Sequence, residues 1–249
     1  HDLQQVNRVA FPQTERVQET KPIQSLDDLI EDRSRRLVLY QNQAYADRYR
    51  KKVEEVRTLE KALKPEEFRL TEAVSRYYFK LLAYKDEYEV ARLHTGHDIK
   101  KYLDDKLEGD YKIEYSLAPP VFGGRDKITG RYPKRKLPSF TYYLFAIMKH
   151  FKFLRGTPLD VFGMSTHRKI ERGLISEYES MLAEIETNIN IENYDAAVKI
   201  ALLPDHIKGY DVVKESNIEK SKLLKEQYFN EFYGKNIEVV NKYPKAIGG

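Results

Sequence analysis

The densest group of side chains able to do chemistry lies in RDKITGRYPKRK, residues 125–136, where Arg125, Lys127, Arg131, Lys134, Arg135 and Lys136 are opposed only by Asp126. Six cations around Tyr132 could grip a phosphate or a nucleic-acid backbone, by charge and by stacking. They could equally dock an acidic protein surface, or serve as a charged strand edge that blocks unwanted pairing. No GxxxxGK[ST] pattern is present, and Gly123-Gly124 alone does not make a phosphate loop.

Two other groups need weighing. His94, His97 and Asp98 are types that ligate zinc, but Gly96 interrupts them, and helical ligand pairs sit four residues apart. The simpler reading puts His94 in a last helical turn, where a partly positive imidazole complements the helix dipole. Asp86, Glu87 and Glu89 could divide acid and base roles if burial separated their pKa values. A solvated helix face with local ion pairs is the plainer expectation. No GxSxG elbow and no dinucleotide fingerprint occur, and Arg155-Gly156-Thr157-Pro158-Leu159-Asp160 reads as a helix stop and restart.

Composition narrows the classes. The 249 residues contain no cysteine, which excludes disulfides, thiolate zinc sites, iron–sulfur ligation by this chain and a cysteine nucleophile. That absence also favours a cytoplasmic location. The longest apolar run, about 140–148, is far below the roughly 20 residues that span a bilayer, so no membrane partner is expected. No signal peptide is visible at the start. The first residue is His1 rather than methionine, as expected of a fragment, a processed product or a tag remnant. Basic residues number 43 and acidic ones 39, an interspersed balance.

The elements that would position these groups are mostly helical. Residues 1–24 read as a lead-in arm and 234–249 as a tail, with a helical domain over 25–233. From Leu26 to Leu63 there is neither glycine nor proline, which predicts one long helix with a stripe of Leu26, Ile30, Leu37, Tyr45, Tyr49, Val53, Val56 and Leu63. Ser25 and Asp28 resemble a capping box at its start. A second helix follows the Lys64-Pro65-Glu66 turn. There Leu70, Val74, Tyr77, Leu81, Tyr84, Tyr88 and Ala91 recur at alternating spacings of four and three. Together they predict a helical hairpin. A short helix is expected over 98–107, and a β-hairpin insertion over about 111–137, from the alternation of Tyr111, Ile113 and Tyr115 and a return strand near 131–136. SFTYYLFAIMKHFKFL, residues 139–154, is apolar on nearly every face and is expected at the centre of the core. Helices over 168–187, 192–203 and 211–233 complete a mainly α fold, a long hairpin plus a helical bundle. In the first of these, Ile170, Leu174, Tyr178, Met181, Leu182 and Ile185 face inward.

Several blocks occur in a fixed order: LTEAVSRYYFKLLAYKDEYEVARLHT (70–95), SLAPP (116–120), RDKITGRYPKRK (125–136), LRGTPLDVFG (154–163), ERGLISEYE (171–179) and LLPDHIKGYDVVKESN (202–217). Together they resemble the C-terminal region of the fused indolepyruvate (2-oxoacid) ferredoxin oxidoreductase family. QNQAYADRYRKKVEEV (41–56) looks like the segment joining that region to a γ-type domain. The resemblance implies a parent enzyme that decarboxylates a 2-oxoacid to an acyl-CoA and passes electrons to ferredoxin. Thiamine diphosphate, Mg and an iron–sulfur cluster would be held by its other domains and none by this chain. It implies a non-catalytic structural or interaction domain, with partners among sister domains or subunits of a homo-oligomer. Ferredoxin or CoA would be possible guests of the basic loop, 125–136. This sequence departs from the family at Val161, where LDPFG reads LDVFG, and at Asp211 and Val212, where GHVKE reads DVVKE. The alternative from another class is a free-standing helical protein that binds nucleic acid or another anion through the same loop.

Overall fold

The computed structural model describes residues 25–96, 105–106, 114–117, 135–209 and 211–235. Within them the fold is mainly helical. Residues 26–63 form two helices, not one: α1 (Leu26–Tyr40) and α2 (Gln43–Leu63). Asn42 makes the break. Its backbone is extended, and its side-chain oxygen accepts from the Tyr45 N–H at 2.9 Å, satisfying a donor that a helix start leaves orphaned. The chain doubles back there, and α1 packs along α2. Ser25 caps α1 as its spacing predicts, accepting from the Asp28 N–H and donating to the Asp28 carboxylate.

The second expected helix is also divided, into α3 (Arg69–Leu82) and α4 (Glu87–His94). Asp86 caps α4 through the Glu89 N–H at 2.9 Å. Leu70, Val74 and Leu81 are buried on α3, whereas Tyr84 lies in the connection and Tyr88 and Ala91 on α4. The expected seam therefore changes element after Leu82. Tyr77 is half-buried, and its neighbour Tyr78 takes the central place, stacked between Tyr49 (6.0 Å) and Tyr178 (6.1 Å).

α6 (Thr166–Asn188) buries Leu174, Ile175, Tyr178, Met181, Leu182 and Ile185 against these helices, with Ile170 packed at the edge. α7 (Tyr194–Ala201), a 3-10 turn (Leu203–His206) and α8 (Asp211–Phe232) close the main core. Tyrosines packed in the core need partners for their hydroxyls, and four of them donate to chain carbonyls. Tyr49 reaches Ser75 and Tyr178 reaches Ala201, both at 2.9 Å; Tyr40 reaches Tyr84 and Tyr45 reaches Leu82, both at 3.1 Å. Burial pushes all four phenols up in pKa, which keeps them donors. Glu60, fully buried on α2, caps α3 from a distance by accepting from the Leu70 and Thr71 N–H groups at 2.8 Å. It also accepts from the Thr71 and Tyr194 hydroxyls.

β1 (Tyr115–Leu117) and β2 (Arg135–Leu137) pair antiparallel with Tyr115 opposite Leu137, as a ribbon between helical parts should. The connecting residues, most of the expected 98–107 helix, the arm and most of the tail lie outside the described residues. Beyond the ribbon come α5 (Thr141–Met148) and a 3-10 segment (Lys149–Leu154). The expectation that this stretch is central fails. Only Thr141 and Phe145 are buried, in a small second core with Ala91 and Tyr115. One face of α5 rests on α4 and the ribbon, and the other has no layer above it among the described residues.

Candidate interaction surface

The structure brings together little of the basic loop. Arg125, Lys127, Arg131 and Lys134 lie outside the described residues, and Arg135 is placed only by its backbone on β2. Lys136 is largely exposed, with a loose ion pair to Glu114 at 3.7 Å. Of the histidine group, His97 and Asp98 are likewise outside. His94 is wedged between aromatic rings, edge-on to Tyr115 (5.4 Å) and stacked on Phe145 (5.9 Å). Burial, helped by the charge of Lys85, holds its pKa below the usual 6.5, so the ring packs as a neutral aromatic. Among the described residues no three of His, Cys, Asp and Glu stand close enough to hold a metal ion.

The carboxylates of 86–89 are not a solvated face. Asp86 and Glu89 are buried, and each has a charged partner. Arg155 grips Asp86 through Nε and Nη2, and Glu89 takes both nitrogens of a fork from Arg92, at 2.7 and 2.8 Å. Glu87 meets Arg168 at 3.2 Å. Each carboxylate is engaged by a guanidinium, which leaves no pair poised to share a proton between acid and base roles.

The feature that stands out is apolar. Phe140, Tyr143, Leu144 and Ile147 are 67%, 71%, 55% and 61% exposed. Their spacing of three, one and three puts them on one side of α5. Phe151 and Phe153, with ring centroids 6.0 Å apart, extend the exposed surface along the 3-10 segment. A second exposed trio follows in Leu159, Val161 and Met164. The helices of the expected hairpin turn their stripes inward, and among the described residues α5 and its extension expose a run of large apolar side chains.

This ridge is held firmly from beneath. Lys152 Nζ donates to the carbonyls of Val38 (3.3 Å) and Leu39 (2.7 Å) at the end of α1. Arg155 adds the Tyr40 carbonyl (2.7 Å) and Gln41 Oε1 (2.6 Å), and its guanidinium lies 3.7 Å over the Tyr40 ring. Cations belong at a helix C-terminus, where carbonyls lack partners. Burial, then the neighbouring charge of Arg155, lowers the Lys152 pKa. Downstream, Asp160 accepts from the Gly156 and Gly163 N–H groups at 2.9 Å and from the Tyr88 hydroxyl at 3.2 Å. Gly156 turns with φ +77°, a left-handed conformation that glycine adopts without strain. Arg172 Nη2 ties down the Gly163 carbonyl at 2.7 Å.

Sequence reasoning missed this anchor. The RGTPLD motif reads locally as a helix stop, and its arginine has no partner within ten residues in sequence. Asp86 looked like one of several surface acids. The only local hint was the cap signature, an aspartate three residues before Glu89.

A family profile described as "Family of unknown function (DUF6537)" matches residues 26–227, and the chain belongs to that family. No curated protein and no solved structure matches it.

Proposed function

We propose that this member of the DUF6537 family is a docking module without catalysis of its own, whose α5 ridge seats it on another domain or subunit. The observation that carries this reading is the exposed apolar stripe of α5 on an anchored support. Monomeric surfaces rarely expose a contiguous apolar patch of such size, and those that do mark interaction sites. The ordered blocks of sequence set out above support the further reading that the larger assembly is a thiamine-dependent 2-oxoacid:ferredoxin oxidoreductase of the indolepyruvate type. In such an assembly the thiamine diphosphate, Mg and iron–sulfur chemistry would sit outside this chain. With no cysteine, it has no thiolate to offer a cluster.

Two measurements test the proposal. The purified chain, supplied with thiamine diphosphate, Mg²⁺, CoA and indolepyruvate, should give no 2-oxoacid-dependent reduction of methyl viologen. Mixed with the thiamine-binding and γ-type portions of an indolepyruvate-type enzyme, it should co-elute as a stoichiometric complex. Turnover by the chain alone would remove the non-catalytic reading. Absence of a complex at about 0.1 mM, where a micromolar interface is saturated, would remove the assembly.

A further inference from the structure

The chemistry of the ridge says more about its occupant than that it is apolar. We propose that the stripe Phe140, Tyr143, Leu144, Ile147 and Phe151 seats in an apolar groove rimmed by acidic side chains on a different protein surface. This deepens the docking-module reading and rests on it.

Spacing gives the shape. The outward residues recur as i, i+3, i+4, i+7 and i+11, the pattern by which one helix lies in a groove. The inward ones, Thr141, Phe145 and Met148, follow the same period on the opposite side and are taken up by the small core. Area gives the scale. Taking about 200 Å² for a whole aromatic side chain, Phe140, Tyr143, Phe151 and Phe153 alone leave on the order of 500 Å² exposed. Leu144 and Ile147 add to that, approaching the roughly 800 Å² that each side of a standard interface buries.

Charge selects the partner. From Leu137 to Leu159 the chain carries no aspartate or glutamate, while Lys149, His150, Lys152 and Arg155 are basic. Lys152 and Arg155 are committed to the end of α1 and to Asp86. Lys149 and His150 are left between Ile147 and Phe151 of the stripe, while Lys136, on the strand before α5, is loosely paired with Glu114. A second copy of this chain fits poorly against such a rim. A parallel two-fold contact sets Lys149 against Lys149. An antiparallel one sets Lys149 and His150 against the positive N-terminal end of the other α5. Like charges juxtaposed at an interface cost affinity, and opposite charges steer association.

The test uses the whole chain and two labelled helical peptides, each with leucines at i, i+3, i+4 and i+7. One peptide has glutamates flanking the stripe, and its twin has lysines. Fluorescence anisotropy should show the glutamate peptide binding about tenfold more tightly than the twin, with the preference shrinking as salt rises. The exposed double variant Tyr143→Lys/Ile147→Lys should keep the circular dichroism and melting temperature of the parent chain yet lose about tenfold in affinity. Equal affinity for the two peptides, or no binding, overturns the acidic groove. So does light scattering that shows a dimer abolished by the double variant, which would make a second copy the occupant. Binding to phosphatidylserine vesicles, lost in the variant while neither peptide binds, overturns it in favour of a lipid surface. The peptides contain nothing of a 2-oxoacid oxidoreductase, so a failure here leaves the co-elution result standing, and a failed co-elution leaves this one.

Discussion

Replacing Arg155 with methionine is the sharpest test of how the ridge is held. The guanidinium and the Asp86 carboxylate are only 6% and 4% exposed. Methionine keeps much of the apolar stem but removes two hydrogen bonds to Asp86 and those to the Tyr40 carbonyl and Gln41. Asp86 is then a buried carboxylate with only its cap to the Glu89 N–H. Leaving one charge of a buried pair uncompensated costs about 3–5 kcal/mol. A chain of this size loses about 2–4 °C of melting temperature per kcal/mol, so a fall of about 6–20 °C is expected. Asp86→Asn keeps a cap oxygen and leaves Arg155 its contacts to Tyr40 and Gln41, so it should cost less. Combining the two removes both charges, and the double variant should be more stable than the sum of the single losses predicts, by about 1.5 kcal/mol or more. Urea unfolding of the four proteins supplies the cycle. A loss under about 1 kcal/mol for Arg155→Met, or additivity within about 0.5 kcal/mol, would refute the claim that this pair anchors the ridge.

Two further predictions concern the same region. A methyl at Gly163 would overlap the Asp160 carboxylate and come within 2.9 Å of Arg172 Nη1, so Gly163→Ala should destabilise by about 1–3 kcal/mol. Gly173→Ala, in the middle of α6 with nothing within 4 Å, should stabilise by about 0.5–1 kcal/mol; equal effects in thermal melts would contradict the packing described for the 156–163 loop. His94 gives a pH dependence. Its pKa in the fold lies below the 6.5 of a free imidazole because of burial and then Lys85, so the unfolded chain binds the extra proton first. Its contribution is whole above pH 6.5 and is lost as pH falls from there through the folded pKa. Urea midpoints across that range should fall less steeply in His94→Phe than in the parent chain, and identical slopes would rule out His94 as the titrating group.

Much of the main core was legible because it obeys local periods. The stripe expected on 26–63 is buried or packed against the core at every position, and so is the inward set expected on α6, to which the structure adds Ile175. Ser25 announced its cap. The two helix breaks were not legible, for a common reason. Asn42 and Asp86 are ordinary polar residues in a run without glycine or proline, and only their extended backbone turns them into caps. Glu60 holds Tyr194 across 134 positions, and Arg155 holds Asp86 across 69, separations at which no local pattern speaks. The exposed ridge eluded reading for the opposite reason. Periodicity reports that a helix is apolar on every face, but not how many of those faces the fold covers.

A helix apolar all round is ordinarily buried all round, because exposing its second face forfeits the hydrophobic gain. Among the described residues, that face could be hidden by rolling α5 over. Rolling would withdraw Phe145 from the Tyr115 and His94 rings and drag Lys152 and Arg155 off the last carbonyls of α1. Breaking the buried Arg155–Asp86 pair alone would cost about 3–5 kcal/mol, and whatever the roll buried of one face it would expose of the other, Phe145 first. Collapse of the ridge onto the described core is therefore opposed by the anchor. The buried ions at the foot of α5 act on orientation: they fix which apolar face is offered, and the small core beneath fixes which face is withheld.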